Sequence, residues 1–247
     1  MKLVIDIGNT NIKLGVFNFD KQVKLFKISK IEFEKITKQI LNDNPKISKL
    51  IVCSVSDFNI DFLNELEYDI EKLIFDHSFK FPFKNMYTTP NTIGLDRLAL
   101  VSAACNKFPN KNVLVIDIGT CITYDFIDFN RHYLGGSISP GLIMRYNSLK
   151  QQTDKLPLLR PKLPSGFIGK STNESIHSGI VFGIVNEIEG TVNSYKEKYD
   201  DITVVLTGGD ANFLRKQLKI SIFVISNFLL EGLNFLLEIN TKKCLKS

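Results

Sequence analysis

The chain has 247 residues, 44% hydrophobic and 23% charged, a globular balance that excludes disordered and collagen-like classes and leaves room for one large domain or two modest ones. Its 31 Lys and Arg against 26 Asp and Glu give a net charge of +5 that is spread along the chain, a compositional bias rather than a nucleic-acid footprint. Cys53, Cys105, Cys121 and Cys244 form no CxxC pair and His77, His132 and His177 do not group with them, which argues against structural zinc and a disulfide framework.

Residues 2–7 and 12–17 are β-rich runs separated by Gly8, Asn9, Thr10 and Asn11, and a third run, 23–28, follows a turn at 18–21, so the spacing predicts a three-stranded meander. Residues 32–41 have helical spacing, 50–54 predicts a buried strand and 58–66 a further helix. Asn91-Thr92-Ile93-Gly94-Leu95-Asp96-Arg97 then leads into the apolar run 98–101. As local structure it reads as a helix start, with Asn91 or Thr92 as cap and Asp96 in the first turn, although Gly94 does not suit that reading.

Near the middle the chain repeats itself. Leu3-Val4-Ile5-Asp6-Ile7-Gly8 recurs as Leu114-Val115-Ile116-Asp117-Ile118-Gly119, each copy with a threonine within two positions. Six identical residues at the start of each half suggest duplication, with domains at 1–110 and 111–247. The second copy returns along 122–127. Gly135, Gly136, Pro140 and Gly141 punctuate an expected loop before another helix. Five prolines and glycines at 157–169 predict a long ordered loop of the kind that often binds ligands. Thr172 begins a predicted helix to about Lys198, 202–206 is a strand ending in Thr207-Gly208-Gly209-Asp210, and a helix at 211–218, a strand at 222–224 and a terminal helix complete the pattern. Strands alternating with helices indicate an α/β fold. The late apolar segment 223–239 is broken by Asn227, Glu231, Gly232 and Asn234, so neither a membrane span nor an export signal is visible and the expected compartment is the cytoplasm.

Either apolar-Asp-x-Gly-x-Thr unit alone reads as a hairpin with a glycine turn. Two copies facing each other across a cleft, with Thr207-Gly208-Gly209 closing another strand, suit a nucleotide, whose phosphates need backbone N–H groups and hydroxyls on both sides. Gly8 and Gly119 are expected to supply close backbone approach and positive φ. Asp6 and Asp117 would meet the phosphates through a cation, since a carboxylate repels bare phosphate. In the GLDR segment Asp96 suits a base or positioning group for a hydroxyl, and Arg97 a fork for a carboxylate.

In this order and at these spacings, VIDIGNTNIK, NTIGLDR, VIDIGTCIT, LGGSISPG, TNESIHSG and VVLTGG resemble the type III pantothenate kinases of the acetate and sugar kinase and actin superfamily. The likeness covers nearly the whole chain, and GxDR and GGxIxPG are its most specific marks. It implies a duplicated ribonuclease H-like (actin-like ATPase) fold, two halves with a nucleotide cleft between them. It implies ATP-dependent phosphorylation of pantothenate as the first step of coenzyme A synthesis, Mg²⁺ with ATP, a monovalent cation (K⁺ or NH₄⁺) and a homodimer, with neither nucleic acid nor membrane as partner.

Carried over residue by residue, the resemblance places ATP against Asp6, Ile7, Gly8, Asn9, Thr10, Asn11, Ile12, Lys13 and Thr120, and the monovalent cation on Asp117. Pantothenate would contact Tyr87, Gly94, Leu95, Asp96, Arg97 and Thr172, with Asp96 as the catalytic base. Lys13 reads equally as a solvated strand residue, Tyr87 as an amphipathic wall residue and Thr172 as a helix N-cap. Cys121 and Tyr124 depart from the family pattern, where alanine and an aliphatic residue are usual, but leave Asp117, Gly119, Thr120, Thr123 and Asp125 in place. An aspartate of pKa about 3.9 is a weak base for an alcohol. Phosphoryl transfer, however, passes through a loose transition state in which alignment and charge neutralisation carry most of the rate. Two rivals remain at this level: another small-molecule kinase of the superfamily, and a non-catalytic nucleotide-binding transcriptional accessory factor.

Overall fold

The computed structural model describes residues 1–54 and 58–241; Cys244 lies outside them. Contacts divide the chain into two units, Met1–Pro109 joined by the helix Phe228–Asn240, and Asn110–Asn227.

The first unit carries β1 (Lys2–Ile7), β2 (Ile12–Asn18), β3 (Lys21–Ile28), β4 (Lys49–Ser54) and β5 (Glu71–Ile74) in the sheet order β3-β2-β1-β4-β5. β2 runs antiparallel to β1 and β3, whereas β4 is parallel to β1 and β5 to β4. Every residue of β1 is buried, as befits a central strand with both faces covered. β3 is exposed along much of its length and carries Lys21, Lys24 and Lys27, charges that discourage edge pairing with another chain. Ser29 and Glu32 form a capping box before α1 (Phe33–Asp43), whose Phe33, Ile40 and Leu41 join Leu3, Ile5, Leu14 and Val52 in one core. A two-residue strand, β6 (Lys84–Asn85), precedes α2 (Leu95–Lys107).

The second unit holds β7 (Asn112–Ile118), β8 (Cys121–Ile127), β9 (His132–Pro140), β10 (Ile202–Thr207) and β11 (Phe223–Val224), with α3 (Leu142–Gln151), α4 (Thr172–Lys198) and α5 (Ala211–Leu214). Its strands lie in the order β11-β10-β7-β8-β9. Here β8 is the antiparallel strand, and β7, β10 and β11 are parallel. Position for position this reproduces the first sheet, so the six-residue repeat marks the central strand of each. The duplicated ribonuclease H-like arrangement is therefore present in the hydrogen-bonding pattern as well as in the sequence.

Four expectations need correction. Residues 58–66 form only a short 3₁₀ turn, Asp61–Leu63, because Asn59 Oδ1 accepts the Asp61 N–H at 2.7 Å and caps a local turn instead. The glycines at 135 and 136 lie within β9 rather than in a loop: Gly135 has φ +98, and a Cβ on Gly136 would stand 1.6 Å from the Tyr124 carbonyl oxygen, so both serve an irregular strand pairing. The helix expected at 211–218 ends at Leu214. The terminal helix, α6 (Phe228–Asn240), read by sequence as part of the second half, packs on α2, β1 and β4 of the first unit. Its Gly232 makes this possible, since a Cβ there would lie 2.0 Å from the Ala99 carbonyl oxygen.

Candidate active site

In the first unit the sheet delivers Asp6 to the C-terminal end of β1, opposite Lys13 on β2 and beside Cys53 on β4. Gly8 N–H donates to the Asn11 carbonyl at 3.1 Å and closes the turn, leaving Asn9 and Thr10 exposed and Gly8 and Asn11 half-buried. Ile7 and Ile12 face the core as register partners. Gly8 does not adopt the left-handed region, and neither does Gly119. The expected positive φ at both is thus corrected: the hydrogen-bonded turn reverses the chain without it. Close approach does hold at Gly8, where a Cβ would stand 3.2 Å from the Asn11 carbonyl oxygen, but not at Gly119, where the nearest atom would be 3.7 Å away.

Asp6 is buried, and burial raises its pKa from the ordinary 3.8 to about 6, with Lys13 pulling it down and the Asp96 carboxylate pushing it further up. Asp6, Lys13 and Asp96 therefore share one electrostatic neighbourhood. Cys53 belongs to it too: burial, then Asp6 and Asp96, hold its thiol well above the usual range, which keeps it inert. Because the folded pKa of Asp6 exceeds the unfolded one, the native state binds more protons. The stability contribution is full below pH 3.8 and is lost as pH rises to about 6, by roughly 3 kcal/mol. Asp6→Asn should then melt like the wild type near pH 4 and at least about 5 °C higher near pH 8, read by thermal denaturation of the ligand-free protein. Parallel melting curves across that range would remove the penalty from Asp6.

Asp96 stands in the first turn of α2, behind the N-cap Gly94. Neither Asn91 nor Thr92 caps this helix; Thr92 Oγ1 turns back to the Thr89 carbonyl at 2.9 Å. The Asp96 carboxylate accepts the Arg97 N–H at 2.9 Å and folds over Gly94 so closely that a Cβ there would lie 2.4 Å from Oδ1. That accounts for Gly94: any side chain would push the carboxylate aside. Leu95 is half-buried, and Arg97 is 5% exposed with its guanidinium 5.9 Å from the Tyr87 ring centroid. The first unit thus brings Tyr87, Gly94, Leu95, Asp96 and Arg97 together at one helix start.

In the second unit Asp117 lies near the C-terminal end of β7 between Thr123 on β8 and Thr207 on β10, the positions that Lys13 and Cys53 hold around Asp6. Gly208, at φ +100, lies so close that a Cβ would be 2.3 Å from Asp117 Oδ1 and 2.4 Å from the Ile118 carbonyl oxygen. The Thr207-Gly208-Gly209 turn is therefore the wall against which Asp117 rests. Gly119 N–H donates to the Cys121 carbonyl at 2.9 Å and Gly141 N–H to the Thr120 carbonyl at 3.1 Å, while the Thr120 residue itself is exposed. Thr123 Oγ1 is buried without a hydrogen-bond partner among the described residues.

Thr172 is the first residue of α4 but not its cap. Ser171 fills that role, its hydroxyl accepting the Glu174 N–H at 3.3 Å. Thr172 instead lines an open cavity of about 630 Å³ with Lys170, Ser171, Ser175, Leu149 and Leu156. The irregular segment 152–171 thus supplies part of a concave surface. Sequence reasoning gave no role to Tyr124, Arg145 or Glu187, which form a linked group: Glu187 accepts from the Tyr124 hydroxyl at 2.8 Å and from Arg145 Nη2 at 2.5 Å. The Tyr124 hydroxyl thus gives this carboxylate a donor that an aliphatic residue there would not. Cys121 sits with its Sγ 3.9 Å from Met144 Sδ.

The family model for type III pantothenate kinase matches residues 2–194. A type III pantothenate kinase from Christiangramia forsetii is 50% identical over 244 residues, covering 97% of this chain and 99% of that protein. Among solved structures, a candidate Baf family transcriptional activator from Campylobacter jejuni aligns with a TM-score of 0.61 at 21% identity over 96% of this chain and 97% of its own. Glucokinase from an Antarctic psychrotroph aligns at 0.53 and 10% identity over 96% and 98%. At such identities the structures speak only to the fold, which is that of the actin-like ATPases and sugar kinases. The family model and the half-identical, nearly full-length relative speak to more, and on them the chain belongs to the type III pantothenate kinase family.

Proposed function

We propose that the chain transfers the γ-phosphoryl group of ATP to the terminal hydroxyl of pantothenate, giving 4'-phosphopantothenate and ADP and opening coenzyme A synthesis. The observation that supports the chemistry is the shared electrostatic neighbourhood of Asp6 and Asp96, in which Asp96 would accept a hydroxyl proton near the glycine turn that follows β1. In this reading Asp6, Ile7, Gly8, Asn9, Thr10, Asn11, Ile12 and Lys13 bind ATP, as does Thr120 in the equivalent turn of the second unit. Pantothenate meets Tyr87, Gly94, Leu95, Asp96, Arg97 and Thr172, with Arg97 as the fork for its carboxylate. Asp96 aligns the hydroxyl and takes its proton as the new P–O bond forms, late in a loose transition state. A proton arriving on Asp96 also relieves the repulsion between the two carboxylates.

Mg²⁺ fits this donor set, since it takes one or two carboxylates and completes its shell with waters and phosphate oxygens. Asp6, a buried carboxylate whose anion is under-stabilised in the ligand-free protein, is suited to hold it. When bound with ATP the ion offsets charge on the phosphates. Asp117 is the proposed ligand of a monovalent cation. Pairing into homodimers, a cytoplasmic location and the absence of nucleic-acid and membrane partners belong to the same proposal; among the described residues no helix is long and apolar enough to cross a membrane. We likewise take 1–110 and 111–247 as the two halves of the duplicated sequence, the last helix of the second half being the one that packs on α2, β1 and β4.

The test is ADP release with ATP and pantothenate, run in K⁺, NH₄⁺ and Na⁺. Turnover should require pantothenate and fall when Na⁺ replaces K⁺ or NH₄⁺, and Asp117→Asn should abolish that difference. Equal rates in the three salts would count against the cation site. Tight ATP binding with no turnover would replace the kinase by a nucleotide-binding accessory factor, and a preference for another hydroxyl acceptor would replace its substrate.

A further inference from the structure

The second glycine turn is braced through one carboxylate. Glu187, on α4, accepts hydrogen bonds from Arg145 Nη2 on α3 at 2.5 Å and from the Tyr124 hydroxyl on β8 at 2.8 Å. The same guanidinium donates from Nε to the Pro140 carbonyl at 2.9 Å and from Nη2 to the Ser139 hydroxyl at 2.9 Å. Pro140 is the last residue of β9, and its neighbour Gly141 donates its N–H to the Thr120 carbonyl at 3.1 Å. Gly141 also packs so closely that a Cβ would lie 2.2 Å from the Thr120 carbonyl oxygen and 2.4 Å from that of Gly119. A continuous set of contacts therefore runs from Glu187 through Arg145, Ser139 and Pro140 to Gly141 and the backbone of Thr120.

The charged links are shielded, with the Arg145 and Glu187 side chains 21% and 29% exposed. Burial alone would raise the Glu187 pKa, but the hydrogen bonds from Arg145, Tyr124 and Ser139 outweigh it and hold the carboxyl below its usual range. Glu187 is thus ionised and fully engaged at neutral pH. Arginine suits the middle position because its planar fork reaches a carbonyl from Nε and a hydroxyl and a carboxylate from Nη2, whereas a lysine would donate to all three from a single nitrogen.

We propose that Glu187 is a positioning residue for ATP: it fixes Arg145, and through the Ser139–Gly141 backbone it holds Thr120 where the nucleotide phosphates are received. This rests on the reading that Thr120 contacts ATP. Tyr124, through the hydrogen bond from its hydroxyl, sets the orientation of the carboxylate.

The test is steady-state kinetics of the full chain with ATP and pantothenate varied in turn, for wild type, Glu187→Gln, Tyr124→Phe, Thr120→Ala and the Glu187→Gln/Thr120→Ala double variant, each checked by thermal melting. Glu187→Gln should raise KM for ATP roughly tenfold, the size expected for one hydrogen bond to a charged group, and leave KM for pantothenate within about twofold. Tyr124→Phe should raise KM for ATP roughly two- to threefold, since Arg145 keeps its partner. The double variant should be little worse than Thr120→Ala alone, because both changes act on one turn. An unmoved KM for ATP, equal rises for both substrates, or additive effects in the double variant would overturn the proposal. If Glu187→Gln does not fold, Tyr124→Phe decides by the same split. A wild type without pantothenate turnover, or Thr120→Ala with an unchanged KM for ATP, would instead overturn the functional reading beneath it.

Discussion

Asp96→Asn should lower kcat by about 10² or more and leave ATP affinity near normal, the range expected when a general base is lost. The substitution is well controlled by the local structure. The side-chain amide oxygen it introduces can still accept the Arg97 N–H that Asp96 now accepts, and it occupies the same space over Gly94. What disappears is the proton acceptor and one negative charge near Asp6. Losing that charge should ease the ionisation of Asp6, so affinity for ATP with Mg²⁺ has no reason to fall. ADP release measured beside an ATP titration separates the two effects. Near-normal turnover would show that alignment alone suffices and would remove Asp96 from the chemistry.

Gly208→Ala should destabilise the protein by about 3 kcal/mol or more and lower Tm by roughly 6–12 °C. Two independent penalties meet at this residue. Its φ of +100 is one that a side chain resists, and the added Cβ would have to share space with Asp117 Oδ1 and the Ile118 carbonyl oxygen, 2.3 and 2.4 Å away. The backbone oxygen cannot yield without breaking its bond from the Asp210 N–H at 3.0 Å. The carboxylate can move, and so Asp117 would leave its place. Gly209→Ala is the matched control, because nothing lies within 4 Å of the Cβ it would gain. Thermal melts of the two variants, together with the K⁺ response, test both halves of the expectation; two equally mild variants would mean that the turn relaxes without disturbing Asp117.

Most of the β framework was legible because it follows from local pattern: apolar runs set by alternation and by the glycine turns that end them. The repeat was legible for the same reason, and the matching strand orders of the two sheets give it a physical meaning. Errors fell where a side chain or a glycine acts at a distance. Asn59 diverts a helical sequence into a turn, and Gly136 reads as a breaker yet sits in a strand because the Tyr124 carbonyl approaches it. Gly208, Gly141 and Gly94 are each required by an oxygen whose identity only the fold supplies. In the same way Tyr124 looks anomalous in sequence until Glu187, far along the chain, is placed against its hydroxyl. The residues of GLDR could be named from their pattern, but the electrostatic coupling of Asp96 to Asp6 could not, since it depends on where α2 begins beside β1.

The placement of α6 bears on how the molecule is made. The first unit is discontinuous: its two pieces are separated by the whole of Asn110–Asn227, which behaves as an insertion. During synthesis, the inserted unit can close its core as soon as its own strands have left the ribosome. The earlier unit cannot, because α2, β1 and β4 still wait for the helix that covers them. Leu233, Leu236 and Leu237, all fully buried in the finished protein, are translated only after the whole of Asn110–Asn227. A nascent chain halted at Asn227 would therefore carry a finished second unit and, ahead of it, an older one with an open apolar face for a chaperone to hold.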